Sequence, residues 1–247
     1  TLHSRLMRKR VLLPDSTLVL VDEAHLAVSP TCIGILDRFR DAGAWIVGLT
    51  ATPARSDGRA LSQVFSSIVE SSTIADLTAD RWLEPAVCYA PTEPDLSKLG
   101  IDPKTRDYVQ REAERMMNTP KIVGDVIEHW TRLAGDRRTV VFASSVSNSM
   151  HLAKRFQGLG IAAEHVDANT PQEVRDQIFR RFREGRTQIL CNCFLAASGF
   201  ELPELSCVVL ARPTRPTGLY LEMYGRGLRK APGQTDCTVT DQGGPIG

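Results

Sequence analysis

Along most of the chain, short apolar runs alternate with stretches of helical periodicity, the pattern of an α/β protein with a parallel sheet flanked by helices. Strands are expected at Leu18–Val21, Trp45–Leu49, Thr139–Ala143, Ala162–Val166, Gln188–Cys191, Cys207–Leu210 and Cys237–Thr240. Helices are expected at Thr31–Arg40, Ile122–Leu133, Asn148–Gln157, Pro171–Arg183 and Leu219–Leu228. Pro171 suits a first helical turn, with Thr170 as its N-cap. Four consecutive aliphatics in Leu18–Val21 read as a buried parallel strand. The alternation fails between Glu84 and Pro120, where five prolines punctuate a polar stretch that includes the charged run Lys104–Arg115. That stretch reads as a connector carrying one strand, Ala86–Ala90, and one helix, Arg106–Met117. The expected organisation is therefore a first block over 1–84, a linker over 85–120 and a second block over 121–247.

Composition changes this picture little. The 247 residues are 42% hydrophobic and 24% charged, an ordinary globular balance. Lys+Arg is 30 against Asp+Glu 29, so net charge favours neither a nucleic-acid nor a membrane partner. Only 6 of the basic residues are lysines; arginine suits bidentate phosphate contacts, but a GC-rich genome is the simpler source of that bias. The six cysteines contain no C-x-x-C pair, which disfavours zinc and a disulfide framework and fits a reduced, cytoplasmic setting. No apolar stretch approaches a membrane span, and the basic segment Arg5–Arg10 has no apolar region beside it, so neither a membrane segment nor a signal peptide is expected.

Four segments carry candidate chemistry. Asp22-Glu23-Ala24-His25 follows the first strand, where open α/β sheets hold ligands. One carboxylate there could orient Mg²⁺ and the next polarise a water; the plain alternative is an acidic turn that caps a helix. Thr50-Ala51-Thr52-Pro53 ends the second strand and should project from the same sheet edge, its hydroxyls able to bridge to the acidic turn; by itself it is an ordinary Thr/Pro turn. In Ser198–Pro203, Gly199 permits close backbone approach to a phosphate or ribose and Glu201 can accept from a ribose hydroxyl; a Gly/Pro loop with a solvated acid reads equally well. In Tyr224–Arg229, Arg226 and Arg229 stand three apart and would share a helix face, suiting a polyphosphate, while the flanking glycines argue for close packing.

These segments occur in one order, and together they resemble motifs II, III, V and VI of superfamily 2 helicases, with Val140–Ser145 similar to the motif IV strand. Ala51–Gly58 and Leu210–Thr214 look most like bacterial and phage DEAD/DEAH-box members, near the type I/III restriction and excision-repair branches. The resemblance implies two RecA-like parallel-sheet domains, the first N-terminally truncated. It implies ATP and Mg²⁺ as cofactors, with Asp22 holding the metal and Glu23 activating the hydrolytic water. His25, Thr50 and Thr52 would couple nucleotide state to movement, and Gly199 and Glu201 would face the nucleotide. Arg226 and Arg229 would act as arginine fingers. Ser144, Thr170 and Asn192 would contact the nucleic-acid backbone, with DNA preferred to RNA and a nuclease or methylase as partner. Contacts of that kind go mostly to phosphate and sugar and give little sequence preference. The cluster Arg175–Arg186 reads as a solvated helix face.

Three departures stand beside the resemblance. No G-x-x-x-x-G-K-[ST] occurs and no lysine follows a glycine, so the phosphate-cradling loop is missing from the chain. The sequence is expected to begin partway through a first domain and to hydrolyse almost no ATP by itself. Ser198 replaces a charged residue, Glu201 an Asp, and Glu222 the usual Gln of motif VI. The expected activity of the full-length protein is an ATP-dependent helicase or translocase. The alternative is a degenerate, non-catalytic module that clamps nucleic acid or a partner.

Overall fold

The computed structural model describes residues 17–53, 61–91, 94–193, 205–230 and 233–243. Two compact units meet in sequence between Ser71 and Ser72. In the first, β1 (Leu18–Val21) and β2 (Trp45–Gly48) pair in parallel, with Val19 opposite Ile46 and Val21 opposite Gly48. Between them runs α1 (Pro30–Asp41), whose N-cap Ser29 accepts from the Cys32 amide and whose first residue is the expected proline. Val19, Val21 and Ile46 pack with Ala27, Val28, Leu36, Leu61 and Val64. The opposite face is bare among the described residues: Leu20 is 62% exposed and Trp45 78%. Among the described residues, the strand expected to be buried is thus covered on one side only: two strands pair there and the helix lies on one face.

The second unit holds a fully parallel sheet in the order β3-β8-β7-β4-β6-β5. Its strands are β3 (Ala86–Tyr89), β4 (Thr139–Ala143), β5 (Ala163–Val166), β6 (Ile189–Asn192), β7 (Cys207–Ala211) and β8 (Cys237–Asp241). Its helices are α2 (Ile74–Ala79), α3 (Gln110–Met117), α4 (Pro120–Ala134), α5 (Val146–Gly158), α6 (Gln172–Arg183) and α7 (Thr217–Gly227). Alternate residues of each central strand serve opposite faces, as a pleat requires. Val141 and Ala143 pack with α4 and α5, while Val140 and Phe142 pack with α6 and α7. Trp130 of α4 meets Phe156 of α5 edge-on at 5.2 Å, and its indole N–H reaches Thr139 Oγ1 at 2.8 Å. That bond satisfies the one polar group of a buried tryptophan.

Residues 85–120, expected to be a linker, belong to this unit. β3 extends the sheet as an edge strand on β8, and the Cys237 amide bonds to Pro85 O at 2.9 Å. The expected helix Arg106–Met117 begins only at Gln110. Before it, Arg106 adopts a φ of 55° and Ile101 pairs antiparallel with Tyr108, which closes a turn that helical backbone could not make. Helix α2 carries a capping box, Thr73 with Asp76, that the apolar pattern does not reveal. Thr170 is not an N-cap: α6 starts at Gln172 after Pro171, and the Thr170 hydroxyl is taken by Asp167.

The two glycines of Tyr224–Arg229 differ. A Cβ on Gly227 would lie 2.5 Å from Cys237 Sγ and 2.8 Å from Val208 Cγ2, whereas one on Gly225 would meet nothing within 4 Å. Gly227→Ala is expected to destabilise the fold by about 1–3 kcal/mol through overpacking, and Gly225→Ala to stabilise the helix by up to about 1 kcal/mol. Denaturant unfolding of the two variants, side by side, checks the contrast.

Candidate active site

In the first unit the acidic turn and the threonine turn come together. The Leu49 amide bonds to Val21 O at 2.8 Å and Leu49 O accepts from the Ala24 amide at 2.9 Å, so each strand end ties the other's loop. His25 Nδ1 lies 3.1 Å from Thr50 Oγ1, which also accepts from the Thr52 amide at 3.2 Å. Thr52 is buried, and its amide and the histidine ring meet at the one Thr50 hydroxyl. Asp22 and Glu23 are exposed, with one Asp22 oxygen accepting from the Glu23 amide at 2.9 Å. Glu23 Oε2 lies 3.4 Å from His25 Nδ1. Glu23 adopts left-handed backbone, φ 50° and ψ 49°, a conformation that costs a residue with a Cβ about 1–2 kcal/mol. Gly48, opposite Val21, admits this turn: a Cβ there would sit 2.7 Å from the Ala24 Cβ and 2.5 Å from the Phe65 ring.

In the second unit, Ser144, Thr170 and Asn192 lie at the carboxyl ends of the neighbouring strands β4, β5 and β6, the edge where open α/β sheets bind ligands. Their side chains serve the edge from within. Ser144 and Asn192 are each 1% exposed. Ser144 Oγ donates to Asn148 Oδ1 at 3.3 Å, and Asn192 Nδ2 donates to Val141 O at 3.0 Å. Asn192 Oδ1 and Gln242 Oε1, at the ends of β6 and β8, are buried acceptors with no partner among the described residues. The Thr170 hydroxyl donates to Asp167 Oδ1 at 2.9 Å and accepts from the Asp167 amide. These bonds help to hold the Asp167 carboxyl below its ordinary range against the opposing effect of burial. Ser149, His165 and Asp167 line up as 2.7 Å and 3.6 Å contacts, but Ser149 is wholly buried and burial pushes the His165 pKa down. That chain is a brace between α5 and the loop after β5, since its serine has no access to a substrate.

Arg226 lies in the last turn of α7. The helix ends at Gly227, so Arg229 leaves the face it was expected to share. It pairs antiparallel with Leu83 instead, while the Glu84 amide bonds to Leu228 O at 2.8 Å. Tyr220 and Tyr224 stack at 6.1 Å and pack against the sheet, and burial pushes the Tyr224 phenol up to about 12. Glu222 stands four residues before Arg226 on this helix, the spacing at which the two side chains are neighbours. Gly199 and Glu201 lie outside the described residues.

Residues 120–231 match the family of the helicase conserved C-terminal domain. The chain is 34% identical over 213 residues to a 51.5 kDa protein of Lactococcus phage (isolate 7-9), covering 86% of this chain and 46% of the phage protein. It is 32% identical over 232 residues to a Saccharomyces cerevisiae protein designated ATP-dependent helicase IRC3, covering 91% of this chain and 33% of that one. Residues 120–231 form a helicase C-terminal domain, and the chain as a whole is similar to superfamily 2 helicases. Its fold is similar to a fragment assigned as the HsdR subunit of a type I restriction enzyme from Vibrio vulnificus YJ016, with a TM-score of 0.73 at 21% identity over 97% of this chain and 46% of that one. It is also similar to S. cerevisiae Dbp5 bound to RNA and ADP BeF3, with a TM-score of 0.61 at 16% identity over 98% of this chain and 57% of that one. The chain spans a third to a half of the length of these two curated relatives.

One device of the helicase unit escapes the sequence motifs. Asp107 Oδ2 accepts from Arg212 Nη2 at 3.1 Å, with both side chains 10% exposed. Asp107 Oδ1 accepts from the Arg215 amide at 3.0 Å and the Tyr108 amide at 2.9 Å. One carboxylate thereby clamps the loop after β7 to the stretch before α3. Arg175 acts similarly, donating from Nη2 to the carbonyls of Asp167, Ala168 and Thr170. The signal for Asp107 in the sequence was only an acid within a charged run, 105 residues from its partner.

Proposed function

We propose that this chain is part of the motor core of an ATP-dependent helicase or translocase that moves on DNA. The observation that carries the reading is the Asp22–His25 turn: two exposed carboxylates at the carboxyl end of β1, with His25 bonded to Thr50 on the neighbouring strand. Asp22 suits Mg²⁺, because that ion takes one or two carboxylates and completes its shell with water and substrate phosphates. Asp22 keeps an oxygen free of the Glu23 amide, and among the described residues no cluster of three metal-ligating side chains competes for such an ion. Bound Mg²⁺ would draw charge from the phosphates of ATP. Glu23 would accept a proton from the attacking water. Arg226 and Arg229 would neutralise charge on the transferring phosphoryl group, and Gly199 and Glu201 would contact the nucleotide. His25, with Thr50 and Thr52, would pass the state of the acidic turn to the adjoining strand. Ser144, Thr170 and Asn192 would shape the nucleic-acid edge through the backbone they fix. The similarity of Ala51–Gly58 and Leu210–Thr214 to bacterial and phage members near the restriction branch supports DNA as the track, with a nuclease or methylase as companion.

The test is ATP hydrolysis by the full-length protein with no nucleic acid, with single- and double-stranded DNA, and with RNA. Stimulation by DNA is the expected result. Nucleic-acid binding without hydrolysis under any condition would replace the motor by the clamp that Ser198 and Glu222 also suggest.

A further inference from the structure

We propose that a cleft on α3 is a phosphodiester site, taking the backbone of the strand on which the motor moves. The cleft, about 480 Å³, is lined by Arg111, Glu114, Arg115 and Asn118. Arg111 and Arg115 stand four apart on one helix, so their guanidinium groups leave the same face about one turn apart. Both side chains are exposed, and neither makes a hydrogen bond or ion pair among the described residues. That sets them apart from Arg181 and Arg186, which are engaged by Glu164 and Glu184.

The cleft is fixed to the edge already described. Gln110, the first residue of α3, donates to Ser144 O at the end of β4. At the other end, Asn118 Oδ1 lies 2.8 Å from His151 Nδ1 and accepts from Asn148 Nδ2 at 3.4 Å. The Cys193 thiol just beyond β6 is pushed up chiefly by burial, with Glu114 adding to the rise, so the cleft lies within electrostatic reach of the β6 end.

Its charge selects the ligand. Two guanidinium groups against one carboxylate leave a single positive charge on the wall. A diester phosphate carries one negative charge and matches that wall. A free triphosphate, with several, is opposed by Glu114 and would need more cations. Guanidinium groups grip phosphate oxygens bidentately without reading bases, as a motor that ignores sequence requires.

This inference rests on the helicase reading, and one titration separates the two. Binding of a labelled single-stranded oligonucleotide by the full-length protein is followed by anisotropy between 50 and 200 mM KCl. Removing two contacts in the Arg111→Gln/Arg115→Gln double variant should lower the slope of log Kd against log salt by about 1.4, so wild type loses roughly sevenfold more affinity over that range than the variant. Glu114→Gln should tighten binding. Arg180→Gln/Arg183→Gln, on α6, should leave the slope where it was. An unchanged slope in the α3 double variant, an equal change in the α6 control, or a loss of ATP affinity in place of oligonucleotide affinity would each overturn the site. Absence of oligonucleotide binding by wild type would instead sink the helicase reading beneath it.

Discussion

The Glu23→Gln variant of the full-length protein is expected to bind ATP nearly as well as wild type while its nucleic-acid-stimulated hydrolysis falls by about 10²–10⁴-fold, the range that a positioned general base contributes. Glutamine keeps the length of the side chain and removes only the ability to take a proton from water. Glu23 is exposed, so the substitution should change stability by less than about 0.5 kcal/mol. Glu23→Gly separates the two roles of the position. It removes the Cβ from a backbone at φ 50°, so it should raise stability by about 1 kcal/mol. Hydrolysis should nevertheless be lost as fully as in the glutamine variant. A side chain held in left-handed backbone, where glycine would be cheaper, is what a functional constraint predicts. Single-turnover hydrolysis beside a nucleotide-binding titration reads both effects, and wild-type turnover in Glu23→Gln would remove Glu23 from the mechanism.

The sequence disclosed those features that depend on neighbours along the chain. Strand β1, the acidic turn after it and the threonine turn after β2 are each local, and their meeting follows once two consecutive strands pair in parallel. The His25–Thr50 bond was foreseeable for that reason. Gly227 was legible too, since a glycine inside an apolar helix is unfavourable unless something packs closely, and Cys237 and Val208 do. Gly225 carried the same letter and has open space beside it, because only three-dimensional contact tells the two apart. The stretch 85–120 was misjudged on the same ground. Its prolines and charges suppress periodicity, yet β3 is held by pairing with β8, some 150 residues away. Ser144 and Asn192 were expected on loops; Ser144 directly follows β4 and Asn192 ends β6, and their side chains turn inward to Asn148 and Val141 O, because burial is not written in the local sequence.

Asp107→Ala in the full-length protein is expected to lower the stability of the second unit by about 3 kcal/mol, the lower end for breaking a buried ion pair by removing one partner. Three donors lose one carboxylate: Arg212 Nη2 and the amides of Arg215 and Tyr108. For a domain of this size each kcal/mol shifts Tm by about 2–4 °C, so the midpoint should fall by about 6–12 °C. Asp107→Asn keeps an acceptor for the two amides and loses only the charge, and should therefore cost less than the alanine variant. The sharper sign comes from the pair. If Arg212 is held by Asp107, then Arg212→Met added to Asp107→Ala should recover part of the loss, because it removes the buried cation that the first change stranded beside fewer partners. The loop so released, Arg212 to Arg215, leads directly into α7 and its Arg226. Loosening it should weaken stimulation of hydrolysis by nucleic acid even below the melting transition. A midpoint within 2 °C of wild type, or additive losses in the double variant, would reduce Asp107 to an ordinary surface acid.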